Sequence, residues 1–231
     1  MSTILTGGSG GIGTSIRETI QSEKFYNLDK THSELIGGEI FLETDLRDSE
    51  STQKSLKLVD VKKIRAIVFC AGYGGPFVPI TEVEEKLWDE IFQINLKSSY
   101  LILKEILPYM KANSFGRIIF IASSLSIIGS KKSVAYSASK HAVIGMMKSI
   151  ADEWGEFGIT SNAISPGYVD TRMGVQDDST PSGYDEILAK TPSKKIAQPF
   201  EIARVVKFLL SEESSYINGA NWTVDGGITS I

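Results

Sequence analysis

The chain has 231 residues, 42% hydrophobic, 23% charged and 9% aromatic, with a formal net charge of −4. This composition excludes a disordered or fibrous protein, and the length suits one α/β domain of ~200–250 residues around one large core. No Lys/Arg block supports a nucleic-acid partner, and one cysteine (Cys70) and two histidines (His32 and His141) argue against a disulfide framework and against any metal site. A strand-like run begins at residue 3 with no basic or apolar leader before it. No apolar run approaches the ~18 residues of a membrane span, so a soluble, cytoplasmic protein with no membrane partner is expected.

The elements alternate strand and helix. Ile4-Leu5 leads into a glycine-rich turn, and Ile12, Ile16 and Ile20 then mark one stripe of a helix. Phe25 to Leu28 and Glu39 to Leu42 read as strands. The ten residues between them, Asp29 to Gly38, are short for a crossover helix and predict an abbreviated connection. Ser49 to Leu58 is helical in pattern, and Ala66 to Cys70 is a continuous apolar strand of the kind buried on both faces. A long helix is expected over Thr81 to Met110, a strand over Arg117 to Ala122, a helix over Ser133 to Trp154 and a strand over Thr160 to Ser165. Tyr168 to Gln198 reads as irregular, Pro199 to Ser211 as a helix opened by proline, and Asn221 to Val224 as a last strand. Repeated β-α-β units predict a single-domain, doubly wound parallel sheet, Rossmann-like, with helices on both faces. The irregular stretch is long for a compact domain, and a substrate lid is expected over about 172–198.

The turn Thr6-Gly7-Gly8-Ser9-Gly10-Gly11-Ile12-Gly13 joins the first strand to the first helix. Glycines there let the backbone turn sharply and approach a dinucleotide pyrophosphate seated on the helix N-terminus. The plainer reading is a tight turn that needs positive φ. Asp29 ends the second strand, 16 residues past Gly13. A carboxylate there accepts both ribose hydroxyls and repels a 2′-phosphate, so NAD is expected over NADP. Lys30 and Arg17 are the cations able to oppose that repulsion. Asp45, followed by Leu46, is placed either to bond an adenine amino group or to cap the next helix. Cys70-Ala71-Gly72 ends the fourth strand with small residues that let a cofactor pass.

Tyr136 and Lys140 lie four apart on a predicted helix and share a face. A phenol of pKa ~10 needs help to act as a base near neutrality, and a nearby ammonium supplies it. The same spacing recurs at Tyr26/Lys30 and Tyr100/Lys104, but neither follows a strand end that carries a hydroxyl. Ser123 does so for Tyr136, at the carboxyl end of a buried strand, with Ser124 and Ser126 as rivals. Asn95 falls on the apolar stripe of Trp88, Ile91 and Phe92, where it is either functional or a core-bonded, helix-kinking residue. His141 reads as structural. Tyr73 to Phe77, Ser126, Tyr168 and Met173 are candidates to line a substrate pocket.

Taken together, Thr6 to Gly13, Asn95, Ser123, Tyr136, Lys140, Ser165-Pro166-Gly167, Ile217 to Asn221 and Val224 to Gly227 resemble the single-domain short-chain dehydrogenase/reductase family over essentially the whole chain. The resemblance implies hydride transfer between a nicotinamide cofactor and a secondary alcohol or ketone. It implies a proton relay from Tyr136 through the cofactor ribose and Lys140 to a water held by Asn95, with Ser123 polarising the carbonyl. Pro166, Gly167, Val169 and Thr171 would hold the nicotinamide, and a homodimer or homotetramer is implied. Cys70 departs from the Asn usual in the family. Two other readings are a 3-oxoacyl-thioester reductase using NADPH and a non-catalytic nucleotide-binding sensor.

Overall fold

A computed structural model describes residues 2–31, 34–171 and 181–230. Seven parallel strands form one sheet in the order β3-β2-β1-β4-β5-β6-β7. They are β1 (Ser2–Thr6), β2 (Lys24–Asp29), β3 (Gly38–Glu43), β4 (Ile64–Phe69), β5 (Gly116–Ile121), β6 (Ile159–Pro166) and β7 (Asn221–Val224). The helices are α1 (Gly11–Ile20), α2 (Ser49–Leu56), α3 (Glu85–Phe92), α4 (Ser98–Ala112), α5 (Val134–Trp154), α6 (Pro181–Lys190) and α7 (Pro199–Leu210).

Successive residues of the central strands enter cores on opposite faces. Ile4, Ile67 and Ile118 join one core with Ile102, Ile106 and Met147 from the α4/α5 side. Leu5, Val68 and Ile119 join the other with Ile16, Ile202 and Val206 from α1 and α7. This is why these strands read as unbroken apolar runs. The strand order reverses between β1 and β4, and the crevice that opens at their carboxyl ends is where such sheets bind ligands.

Three sequence expectations change. The helix expected over Thr81 to Met110 is a 3₁₀ turn at Ile80–Glu82 and then α3 and α4, joined by a π turn over Gln93–Lys97 that contains Asn95. α6 occupies part of the stretch read as irregular. Asp45 does not cap α2: Asp48 does, its carboxylate accepting from the Glu50 and Ser51 amides. Among the described residues of the β2–β3 connection there is no helix, as its length predicts. No helix among the described residues is long and apolar enough to cross a membrane.

Candidate active site

The glycine loop is shaped by close approach. Gly7 has φ +71°, and a Cβ on it would lie 2.6 Å from the Cα of Ala71, just past β4. A Cβ on Gly13 would lie 2.0 Å from the Gly7 carbonyl oxygen, so the first turn of α1 folds back tightly over the loop. Gly11 abuts Thr171, which brings the segment after β6 to the same place. The Thr6 hydroxyl accepts from the Ala71 amide at 3.2 Å and ties the ends of β1 and β4 together. The N-cap of α1 is Gly10, which offers no side-chain cap, and its first turn carries no acidic residue. These amides, with Ser9 and Ile12 beside them, fit the pyrophosphate of a dinucleotide.

Asp29 leans on this loop. One carboxylate oxygen accepts from the Ser9 amide at 2.8 Å and the other from the Thr31 amide at 3.2 Å. The two cations weighed against it differ. Arg17 is buried and donates to Glu39, so it does not swing toward a ribose phosphate. Lys30 is exposed and lies 3.9 Å from Asp45. Asp45 is gripped by Arg47 through both carboxylate oxygens, which holds its carboxyl below the usual range. Leu46 is buried.

The opposite wall comes from β4, β5 and α5. Ser123 follows β5 in extended backbone, and its hydroxyl accepts from the Leu125 amide at 3.1 Å and lies near the Tyr136 phenol. Burial raises the Tyr136 phenol above its ordinary value, and the Ser123 hydroxyl partly offsets that rise. Lys140 is buried and donates from Nζ to the Ile121 carbonyl at 2.8 Å, with Nζ 5.6 Å from the Tyr136 ring centroid. Burial pushes its ammonium down to about 8. The expectation that Lys140 lowers the phenol is therefore corrected: burial governs Tyr136 and leaves it protonated at neutral pH.

One of the two rivals of Ser123 is committed elsewhere. Ser126 is buried, donates to the Ser123 carbonyl at 2.6 Å and pairs with Ser165 at 2.9 Å, so it braces the turn and does not line a pocket. Asn95 is also buried. Its Oδ1 accepts from the Tyr73 amide at 2.8 Å, and its Nδ2 donates to the Tyr73 carbonyl at 3.0 Å and to Ser139 at 2.9 Å. Both amide protons are thus taken by protein groups, and the side chain clamps the segment after β4 onto α5. Ser139 was not singled out by sequence. It sits fully buried between Asn95 and the Tyr136 carbonyl, and a polar residue on the buried face of α5 was the available signal.

Gly72 lies beside both Lys140 and Asn95, while Cys70 and Ala71 line the end of β4. Burial pushes the Cys70 thiol up to about 12. Pro166 ends β6, Gly167 donates to the Val224 carbonyl at 3.2 Å, and Val169 is buried in a bridge to Ala197. His141 bonds its own helix at the Ser137 carbonyl. Met173, His32 and residues 172–180 of the expected lid lie outside the described residues.

This constellation, on this sheet, is that of a nicotinamide-dependent oxidoreductase acting on carbonyl and alcohol groups. The chain belongs to the short-chain dehydrogenase/reductase family. A family model described as enoyl-(acyl carrier protein) reductase matches residues 13–229. A 3-oxoacyl-[acyl-carrier-protein] reductase, MabA, of Mycobacterium tuberculosis is 33% identical over 98% of this chain and 92% of the relative. In structure, a 4-hydroxyisoleucine dehydrogenase complexed with NADH superposes with a TM-score of 0.93 at 24% identity, covering 100% of this chain and 99% of that one, a likeness of fold. ElxO with NADP bound superposes with a TM-score of 0.90 at 25% identity, over 100% and 99% of the two chains.

Proposed function

We propose that the protein reduces a ketone to a secondary alcohol, or runs the reverse reaction, with NAD preferred over NADP. The observation that carries the chemistry is the Tyr136 phenol set close enough to the Ser123 hydroxyl to be shifted by it, beside the buried Lys140. When bound, the reduced nicotinamide supplies a hydride to the carbonyl carbon. Tyr136 and Ser123 present two hydroxyls to the carbonyl oxygen, where negative charge develops, and donors placed in advance stabilise it. Tyr136 then gives its proton to that oxygen, a role suited to a phenol that burial keeps protonated. Lys140 places a positive charge near the phenol, where it stabilises the phenolate that forms until a proton is returned to it. Asn95 and Ser139 hold the walls in register.

Asp29 supports NAD. Its carboxylate sits against the glycine loop, Arg17 is committed to Glu39, and Lys30 is exposed, so solvent screens its charge. A second reading, a 3-oxoacyl-thioester reductase using NADPH, draws support from the MabA relative. It also draws on the apolar side chains exposed after the site's strands: Tyr73 and Phe77 after β4, Ile127 and Ile128 after β5, and Tyr168 after β6. The cytoplasmic setting and the homodimer or homotetramer implied by the family resemblance belong to the same proposal.

Nicotinamide absorbance decides among these readings, followed with NADH and NADPH against ketones and an acetoacetyl thioester. Tyr136→Phe keeps the ring and deletes the donor, so turnover falls roughly 10²–10⁴-fold. Tyr100→Phe, on the exposed face of α4, leaves it unchanged. Wild-type turnover in both variants would remove Tyr136 from the mechanism. Tight NADH binding with no turnover on any carbonyl would make the protein a nucleotide sensor.

A further inference from the structure

Polar side chains rarely sit inside a central strand, yet Asn27 lies in β2 between Tyr26 and Leu28 with no exposed surface. Its Oδ1 accepts from the Gly8 amide of the glycine loop at 3.1 Å. Its Nδ2 donates to Oε1 of Glu39, on β3, at 2.7 Å. The other Glu39 oxygen accepts from Nε of Arg17 at 3.1 Å, from a second nitrogen of the same guanidinium, and from the Ile36 amide at 3.2 Å. Arg17 also donates to the Glu34 carbonyl. The chain of bonds runs from the loop to β2, to β3 and back to α1, the helix that the loop opens. The three side chains that form it, Asn27, Glu39 and Arg17, are each at least nine-tenths buried.

A buried ion pair is costly to desolvate and is weak evidence of net stability. Its value here is geometric. Asn27 and Asp29 are two apart on β2 and so share one face of the strand. They take the amides of Gly8 and Ser9 in turn, which fixes two successive peptide planes just before α1. Glu39 and Arg17 in turn fix the Asn27 amide group, because Glu39 accepts only from the nitrogen end and so leaves the oxygen for Gly8. The connection between β2 and β3 shows no helix among its described residues, and the ion pair ties Glu34 to α1 and Ile36 to β3.

We infer that Asn27, held by Glu39 and Arg17, is a positioning residue for cofactor binding. It touches no ligand and acts through the Gly8 amide, and it sets affinity for the pyrophosphate half of the cofactor without touching hydride transfer. This rests on the glycine loop receiving a dinucleotide and is independent of the substrate and of the choice between NAD and NADP.

The test measures binding of NADH by nicotinamide fluorescence and of ADP by calorimetry, with Tm and with kcat at saturating cofactor. In Asn27→Ala the Kd of both ligands rises roughly 5–50-fold for the lost hydrogen bonds, while kcat stays near wild type. Asn27→Asp alone sets two carboxylates face to face and weakens binding further. Combining it with Glu39→Gln, whose amide can donate to the new carboxylate, joins the two side chains again at the same net charge, with the bond's direction reversed and Oδ1 still facing Gly8, and affinity recovers relative to Asn27→Asp. This rescue also decides the question if Asn27→Ala does not fold. A lower Tm with unchanged Kd for NADH and ADP, or a double variant no better than Asn27→Asp, overturns the inference. A wild-type protein that binds neither ligand overturns the cofactor reading itself.

Discussion

Lys140 and Cys70 feel each other's charge near the end of β4, and burial acts on them in opposite senses. It pushes the ammonium down to about 8 and the thiol up to about 12. Each group's charge opposes the shift of the other, but burial is the larger cause for both. A Lys whose folded pKa is depressed costs stability wherever both folded and unfolded states are protonated. Between pH 8 and the ordinary 10.5 the unfolded chain binds more protons than the folded one, so stability rises with pH. Relative to Lys140→Met, the wild type should therefore gain roughly 3 kcal/mol across that window, at ~1.4 kcal/mol per pH unit. Urea midpoints of both proteins from pH 7 to 10.5 check this, and a pH-independent difference would show that burial does not set the charge of Lys140. Cys70, held as a thiol, should alkylate with iodoacetamide far more slowly at pH 8 in the folded than in the unfolded protein.

At the scale of elements, how much was legible depended on where each element's partners lie. β4 and β5 were legible because two-sided burial writes an unbroken apolar run into them. The Tyr136/Lys140 pair was legible because its spacing is local to one helix face, and Ser123 because it directly follows a buried strand. The π turn was not, since Asn95 bonds Tyr73 and Ser139, which lie 22 and 44 residues away. The ion pair of Arg17 and Glu39 was hidden in the same way, and Arg17 reads from sequence as a cation available to a ligand. α6 was hidden by composition, because its Pro, Ser and Gly content resembles a loop. The α2 cap turned on local geometry: Asp45 and Asp48 both precede the helix, and only Asp48 stands directly before its first residue. Asp48→Ala should lower stability by about 1 kcal/mol, the usual cost of a lost N-cap. Asp45→Ala, which removes a largely exposed ion pair with Arg47, should cost less. Thermal unfolding of the two variants compares them directly, and equal losses would mean that the cap is not what holds the start of α2.

For the whole molecule, the reversal of strand order between β1 and β4 places the cofactor crevice against five of the seven strand ends. On the proposed reading, binding there would draw together the glycine loop, Asp29, the end of β4, the Ser123 turn and the segment after β6. A ligand that binds only the folded chain stabilises it by RT ln(1 + [L]/Kd), about 2.7 kcal/mol at a hundredfold excess over Kd. For a chain of this length that corresponds to a rise in Tm of about 5–10 °C. Choice of cofactor should therefore be readable as heat stability. On the proposed reading, NADH would offer a 2′-hydroxyl to Asp29, whereas NADPH would set a dianionic phosphate against the same carboxylate, and like charges at close range repel. Arg17 cannot relieve that repulsion without abandoning Glu39 in a buried site. Lys30 stands beside Asp45 and is exposed, so solvent screens much of what it could contribute. NADH should accordingly raise Tm more than NADPH at equal concentration, and Asp29→Ala should shrink the difference by weakening NADH and relieving NADPH. A wild-type protein that NADPH stabilises more would mean that Lys30 turns from Asp45 to the phosphate, and that the end of β2 is built to receive charge rather than to exclude it.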